Sequence, residues 1–209
     1  MLNASCPSCG APIAFVNKAS LIAVCAHCGN SVLREDINLR TLGVVAELQD
    51  DGSVIELGTS GAYRDRGFRV VGRIQRSYAR GFWNDWFLAF DSGEPGWLSE
   101  AMGFTSILFE TVPDAPVPPL EKMDLGRTVR IRGETHWVKS ILQGECAGVE
   151  GELPFRFGGP TSGTFVDLAA ERRRCATISY VGSSVRTLAG EYVPFDALKL
   201  RDIRRPENW

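Results

Sequence analysis

The sequence predicts a mainly β protein, with an N-terminal zinc ribbon followed by two small β-barrel-like or curled-sheet units. Two C-x-x-C pairs lie within the first thirty residues, and short apolar runs with period-two alternation follow from residue 54 onward. Four prolines in seven residues then separate two regions of this kind. The predicted parts are a ribbon at 1–34, a connector at 35–55, a first β unit at 56–112, a proline-rich linker at 113–120 and a second β unit at 121–205.

The two C-x-x-C pairs predict a metal site. Fifteen residues separate the pairs, a spacing typical of two turns that face each other around one tetrahedral ion. Four thiolates fill the coordination sphere and leave no position for substrate, so we expect one structural Zn²⁺. His27 lies inside the second pair and is expected to be exposed rather than a ligand. The predicted ligands are Cys6, Cys9, Cys25 and Cys28.

A ribbon of this size cannot bury enough apolar surface to fold alone, so its stability is expected to depend on the metal. Its role stays open at this point. The ribbon is either structural only, or it presents its hairpin tip to a protein or to nucleic acid.

The composition favours a cytoplasmic protein. No apolar run approaches eighteen residues, and the first residues lack the basic start and apolar stretch of a secretory signal. Thiolate ligands also persist best in a reducing compartment. The two remaining cysteines, Cys146 and Cys175, are interpreted as small buried hydrophobic residues, with a disulfide or a reactive nucleophile as the alternatives.

Residues 33–43 of the connector region show a weak helical periodicity, and from residue 54 the pattern changes to short strands. In the first β unit, six arginines and a single acid, Asp65, lie between Arg64 and Arg80. The net charge of −2 argues against binding of nucleic acid through the overall field of the protein. The arginine segment is therefore either a solvated strand face or a local surface for an anion or a partner.

An aromatic group in the same unit consists of Tyr78, Phe82, Trp83, Trp86 and Trp97. Indole rings supply rigid contact area with one polar group, so these rings either pack in the core or line an exposed groove. The candidate partner-binding residues are Arg69, Arg73, Trp83, Trp86 and Trp97.

Several segments resemble the bacterial domain of unknown function 4178. The most specific is a pair of tryptophans three positions apart, followed by Trp-Leu-Ser-Glu at 97–100. Others are 68–75, 151–154 and 192–195. The resemblance covers residues 56 to 200, and a preceding zinc ribbon is a known arrangement in that family. It implies an association with envelope-stress and membrane-linked gene neighbourhoods, and it carries over no catalytic residues.

Three functional hypotheses follow. The first is a non-enzymatic zinc-binding adaptor that recognises a protein partner, within a membrane-linked or envelope-stress assembly. The second is a nucleic-acid-binding protein that uses the ribbon tip and the arginine face. The third is a hydrolase with a cleft between the two β units, near Trp97, Glu100 and His136. This hypothesis requires the three residues to share a polar pocket.

Overall fold

The structure is a computed structural model that describes residues 2–35, 38–44, 48–155 and 162–205. The described residues form fifteen β-strands and two short 3₁₀ helices, at Leu120–Lys122 and Phe195–Leu198. The predicted mainly β class is confirmed. The strands are β1 Leu2–Ser5, β2 Pro12–Phe15, β3 Ile22–Val24, β4 Asn30–Glu35, β5 Asn38–Val44, β6 Ser60–Tyr63, β7 Arg66–Tyr78, β8 Gly81–Phe90, β9 Pro95–Ala101, β10 Phe104–Glu110, β11 Thr128–Ile131, β12 Glu134–Leu153, β13 Ser162–Ala169, β14 Arg174–Val181 and β15 Ser184–Tyr192.

Eight antiparallel strands close into a barrel. The hydrogen-bonded order is β7-β8-β9-β10-β15-β14-β13-β12, and β12 pairs again with β7. The first predicted β unit supplies β7 to β10 and the second supplies β12 to β15, so both units curl into the same sheet. Closure pairs every barrel strand on both sides and removes the free edges at which sheets aggregate.

Two glycines lie opposite each other where β12 meets β7. Gly72 and Gly151 are register partners at the end of this pairing. A Cβ atom added to Gly72 would clash with the backbone oxygen of Glu152, so a side chain does not fit between the strands there.

Apolar clusters cover the outer wall of the barrel. On the β7–β10 side, Phe68, Trp86 and Leu98 pack with Ile55 and Leu198 from the flanking segments. The other side is covered by β11, the Leu120–Lys122 helix and the proline-rich linker, whose Val117 and Leu120 pack on the cluster of β12–β15. The Tyr180 hydroxyl also donates to the Pro118 carbonyl at 2.7 Å. The linker segment therefore runs along the barrel wall.

The N-terminal region extends the same sheet. Strands β1 and β2 form a separate two-stranded sheet, whereas β3 pairs with the end of β12 and continues through β4 to β5. The helical structure indicated by the weak periodicity of residues 33–43 is wrong, because strands β4 and β5 occupy residues 30–35 and 38–44. Parts of the predicted connector, 36–37 and 45–47, lie outside the described residues.

The ribbon covers one end of the barrel. Ile22 of β3 and Leu33 of β4 belong to the same apolar cluster as Phe87, Trp97 and Leu108, whose side chains lie on the inner face of the barrel. The ribbon strands thus complete the core of the barrel. In the part of the chain that the structure describes, no helix has the length and apolar character needed to cross a membrane.

Candidate functional sites: a four-cysteine centre and the barrel interior

The four predicted ligands come together at the base of the ribbon. The sulfur atoms of Cys6, Cys9, Cys25 and Cys28 all lie within 4.8 Å of one another. The Sγ–Sγ distances are 3.8 Å for Cys6–Cys28 and 3.8 Å for Cys9–Cys25. A tetrahedral ion with metal–sulfur bonds of about 2.3 Å holds its ligands about 3.8 Å apart. The cluster therefore has the dimensions to hold one metal ion.

Two equivalent turns position the sulfurs. The Gly10 amide donates to the Cys6 carbonyl at 2.9 Å, and the Gly29 amide donates to the Cys25 carbonyl at 2.8 Å. Both glycines have positive φ, 77° and 68°, which other residues adopt at a cost. His27 is exposed and stays outside the cluster, as expected from the sequence.

One neighbouring amide favours the metal-binding form of a ligand. The Asn30 side chain donates from Nδ2 to Cys28 Sγ at 3.4 Å. This hydrogen bond, the Asn30 backbone amide and the neighbouring thiols of Cys9 and Cys25 together lower the pKa of Cys28 to about 6. The thiolate is the species that binds a metal, so this hydrogen bond favours the metal-binding form of Cys28.

The barrel interior holds a cavity of about 590 Å³. Its walls are largely apolar, with Ile74, Trp97, Leu108, Phe155 and Phe165 among the lining residues. The lining also includes Ala79, Arg80 and Met102, which lie in the exposed β7–β8 and β9–β10 turns. These turns mark the mouth of the cavity.

A charged group lies on the inner wall. Arg76 Nε donates to Asp85 Oδ2 at 3.0 Å, and the same oxygen accepts from Trp83 Nε1 at 3.2 Å. The second carboxylate oxygen accepts from Ser99 Oγ at 2.9 Å. The Arg76 guanidinium also lies over the Phe165 ring, 4.6 Å from its centroid. This arrangement pairs a cation and an anion inside an aromatic wall.

A second carboxylate, that of Asp167 on β13, also lines the cavity. It accepts hydrogen bonds from Ser140 Oγ at 2.8 Å and Thr177 Oγ1 at 3.0 Å. Burial raises the pKa of Asp167, because desolvation penalises its charged form, and the negative charge of Asp85 acts in the same direction. The two hydroxyls lower the pKa and only partly compensate.

The predicted partner-binding residues are mostly buried. Arg73 is 3% exposed and Trp86 0% exposed, and the guanidinium lies 4.7 Å from the centroid of the indole. Arg73 donates to Asn84 Oδ1 and Asp51 Oδ2 on the outer wall. Trp97 is buried on the inner wall and Trp83 is partly buried there, whereas Arg69 is exposed.

The six arginines between Arg64 and Arg80 do not form one face. Arg64 bonds Glu191 and Arg66 bonds Glu94 on the surface. Arg73 is buried in the outer wall, while Arg76 and Arg80 line the cavity. This distribution gives no continuous basic surface for a phosphate backbone.

The residues of the hydrolase hypothesis lie apart. Trp97 faces the interior, whereas the Glu100 carboxylate accepts from Ser53 Oγ at 2.7 Å and Trp86 Nε1 at 3.0 Å on the outer wall. His136 is buried in strand β12, with Nδ1 3.3 Å from the Glu134 carbonyl. Only Trp97 of the three lines the cavity, so the shared polar pocket required by that hypothesis is not formed by these residues.

The remaining cysteines fit their predicted role in part. Cys175 is buried and Cys146 partly buried, and neither forms a disulfide. Burial raises the pKa of the Cys175 thiol to about 12 and also raises that of Cys146, so both stay protonated near neutral pH.

Sequence reasoning missed the polar residues of the interior. A β-bulge lies between Val70 and Gly72 of β7, and it changes the face on which alternate residues lie. Phe68 and Val70 therefore face the outer cluster, whereas Ile74 and Arg76 face the cavity. One sequence signal was available. Arg76 lies two residues after Ile74, so the two side chains lie on the same face of β7, which faces the cavity.

These features define a class of protein: a closed antiparallel barrel with an internal cavity and an N-terminal four-cysteine ribbon packed against it. A family model described as a domain of unknown function, DUF4178, matches residues 56–195. The chain belongs to this family, whose matched region includes all eight barrel strands. No curated protein and no solved structure matches the chain.

Proposed function

We propose that this protein is a non-enzymatic binding protein whose barrel encloses a small amphipathic organic molecule. The observation that carries the proposal is the cavity of about 590 Å³ inside the closed barrel. The interior of an eight-stranded barrel is either filled by side chains or just wide enough for one small ligand. Ligand sites are typically concave and mostly apolar, with a few polar groups. Apolar side chains with Arg76, Asp85 and Asp167 match that composition.

The ribbon has a structural role in this proposal. One Zn²⁺ bound by the four thiolates holds the ribbon in shape, and the ribbon in turn supplies Ile22 and Leu33 to the apolar cluster at one end of the barrel. Thiolate ligation favours a reducing compartment, which supports a cytoplasmic location.

A dye titration tests the ligand-binding function. N-phenyl-1-naphthylamine is a neutral aromatic probe whose fluorescence rises in apolar surroundings. We expect saturable binding of one dye per chain. In the variant Ser179→Phe a ring fills part of the cavity, and we expect at least about tenfold weaker binding.

Ser184→Phe is the matched control, because Ser184 lies at the start of β15 and is exposed. This variant should bind the dye as the wild type does. Equal binding by both variants would place the dye on the surface, and absence of binding to the wild type would refute the proposal.

The protein-interaction role is the second candidate, and one surface feature favours it. Met102 and Phe104, in and beside the β9–β10 turn, are 79% and 67% exposed, and the Phe104 ring lies 6.5 Å from that of Tyr192. Exposed apolar side chains in one patch are typical of a contact surface. The family resemblance suggests that the protein bound at this patch belongs to a membrane-linked or envelope-stress assembly.

The double variant Met102→Ser/Phe104→Ser tests this candidate. A specific partner recovered with the wild-type protein should be lost with the double variant. Leu125→Ser, at an equally exposed position far from the turn in sequence, should retain it. Retention by the double variant would remove this surface from consideration.

A further inference from the structure

The charges inside the barrel indicate the chemistry of its occupant. We propose that the cavity binds an organic cation, an amine with an apolar body, and that Asp167 receives its ammonium group. This inference rests on the proposed ligand-binding function and adds the class of ligand.

Among the residues that the structure describes, one of the two carboxylates that line the cavity has no cationic partner. Two carboxylates line the cavity, those of Asp85 and Asp167, and Arg76 is already paired with Asp85 at 3.0 Å. Of the other lining arginines, Arg186 is bonded to Glu110 at 2.9 Å, and Arg80 lies in the exposed β7–β8 turn. Within the described ranges, Asp167 forms no salt bridge.

The surroundings of Asp167 leave room for a further donor. Ser140 and Thr177 each donate one hydrogen bond, and each bond goes to a different carboxylate oxygen. A carboxylate accepts about four hydrogen bonds, so both oxygens retain acceptor capacity. Ser179, which also lines the cavity, offers a neutral hydroxyl beside these groups.

A carboxylate that is largely shielded from water and lacks a cation is costly, and a bound ammonium would remove that cost. Burial and the negative charge of Asp85 both disfavour the ionised form of Asp167. A cationic group beside Asp167 supplies the counter-charge that this carboxylate lacks, whereas an anionic group there would lie near two carboxylates. The site therefore discriminates by charge as well as by shape.

The aromatic lining suits a cation with an apolar body. The rings of Trp97 and Phe155 are stacked, with centroids 6.1 Å apart, and Trp83 meets Phe165 edge to face at 5.2 Å. The faces of such rings attract positive charge. Two guanidinium groups of the protein lie over such rings, that of Arg76 over Phe165 and that of Arg186 over Phe155.

Three probes with one naphthyl body test the inference by calorimetric titration. They are 1-naphthylmethylamine, the neutral 1-naphthalenemethanol and the anionic 1-naphthoate. We expect the amine to bind the wild-type protein at least about tenfold more tightly than the alcohol, because a hydrogen bond to a charged group outweighs one between neutral groups. Naphthoate should bind most weakly.

Asp167→Asn keeps the size of the side chain and removes its charge. This variant should lose about tenfold in affinity for the amine and keep its affinity for the alcohol. The retained alcohol binding also shows that the barrel is folded. Asp124→Asn, at an exposed position before β11, is the control and should bind all three probes as the wild type does.

The outcomes separate the two proposals. If the alcohol binds as tightly as the amine, or if Asp167→Asn leaves amine affinity unchanged, the cation assignment is overturned and the ligand-binding barrel stands. If none of the three probes binds and the neutral dye also fails, the proposed function falls together with the inference.

Discussion

Ser20 Oγ donates a 2.6 Å hydrogen bond to Glu152 Oε2, across 132 positions of the chain. The same buried carboxylate accepts from the amides of Val16 at 2.6 Å and Asn17 at 3.1 Å. Three donors of the ribbon thus converge on one side chain of barrel strand β12. The ribbon is anchored to the barrel by this carboxylate as well as by the β3–β12 pairing.

Glu152→Gln should therefore destabilise the whole protein. The amide that replaces one carboxylate oxygen is a donor, and it would face backbone N–H groups that need an acceptor. An unsatisfied buried donor costs about 1–3 kcal/mol, and we expect a loss of that size in the free energy of unfolding. Urea denaturation followed by tryptophan fluorescence measures it.

Glu145→Gln is the control for this prediction, because Glu145 lies on the same strand and is exposed. Its effect should stay within about 0.5 kcal/mol. Equal stabilities of the two variants would show that the anchor contributes little.

Metal binding should require the four ribbon cysteines and no others. The purified protein should contain one zinc ion per chain by mass spectrometry of the native protein, and Cys25→Ser should contain none. Cys146→Ser, which replaces a cysteine outside the cluster, should retain the metal.

Removal of the metal should also affect the barrel. Ile22 and Leu33 lie in the cluster that closes one end of it, so a strong chelator should lower the thermal midpoint of the entire protein. An unchanged midpoint after complete removal of zinc would contradict a structural role for the ion.

The two sites differed in how much the sequence could reveal. The cysteine ligands are paired at a spacing of three positions, and such a local pattern can be recognised in the sequence without knowledge of the fold. The cavity depends on contacts distant in sequence, namely the pairing of β10 with β15 and of β7 with β12. The strands themselves were largely predictable from alternation, whereas the closure of both halves into one barrel was not.

The bulge in β7 shows the physical reason for the remaining error. Alternation predicts faces only while the register is unbroken, and one extra residue between Val70 and Gly72 exchanges inner and outer faces. Arg73 was thereby grouped with Arg69 on one strand face, although it packs against Trp86 in the wall. Asp167 gave no local signal, because its partners Ser140 and Thr177 lie on neighbouring strands.

The Arg76–Asp85 pair should stabilise the barrel, because both groups are largely shielded from water on the inner wall. Asp85→Asn would leave the guanidinium without its counter-charge and weaken the bonds from Trp83 and Ser99. We expect a loss of about 1.5–3 kcal/mol in the free energy of unfolding.

Asp114→Asn provides the comparison for this pair. Asp114 lies 3.9 Å from Arg130 in an ion pair near the surface, and exposed pairs contribute about 0–1 kcal/mol. Urea unfolding of both variants gives the two values. A smaller loss for Asp85→Asn than for Asp114→Asn would refute the role assigned to the interior pair.

Asp167 should make the ligand-free protein less stable at neutral pH than its asparagine variant. Burial raises the pKa of Asp167 above its ordinary value of 3.8, and the charge of Asp85 raises it further. The hydroxyls of Ser140 and Thr177 lower it. Cys175 and Tyr192 also lie within electrostatic reach of this carboxylate. Because the folded state holds this proton more tightly than the unfolded state does, stability falls as the pH rises from 3.8 through the raised pKa. Asp167→Asn removes that dependence, so the stability of this variant should exceed that of the wild type most near neutral pH. The difference should shrink as the pH falls through the raised pKa.

Urea unfolding of both proteins at about pH 7 and about pH 5 measures this difference in the free energy of unfolding. Effects common to both proteins, such as loss of zinc in acid, cancel in it. The opposite result would be a wild type that is more stable than the variant at neutral pH in the absence of any amine. The hydrogen bonds from the two hydroxyls would then be enough to compensate the charge of Asp167. In that case the interior would not need a cationic ligand.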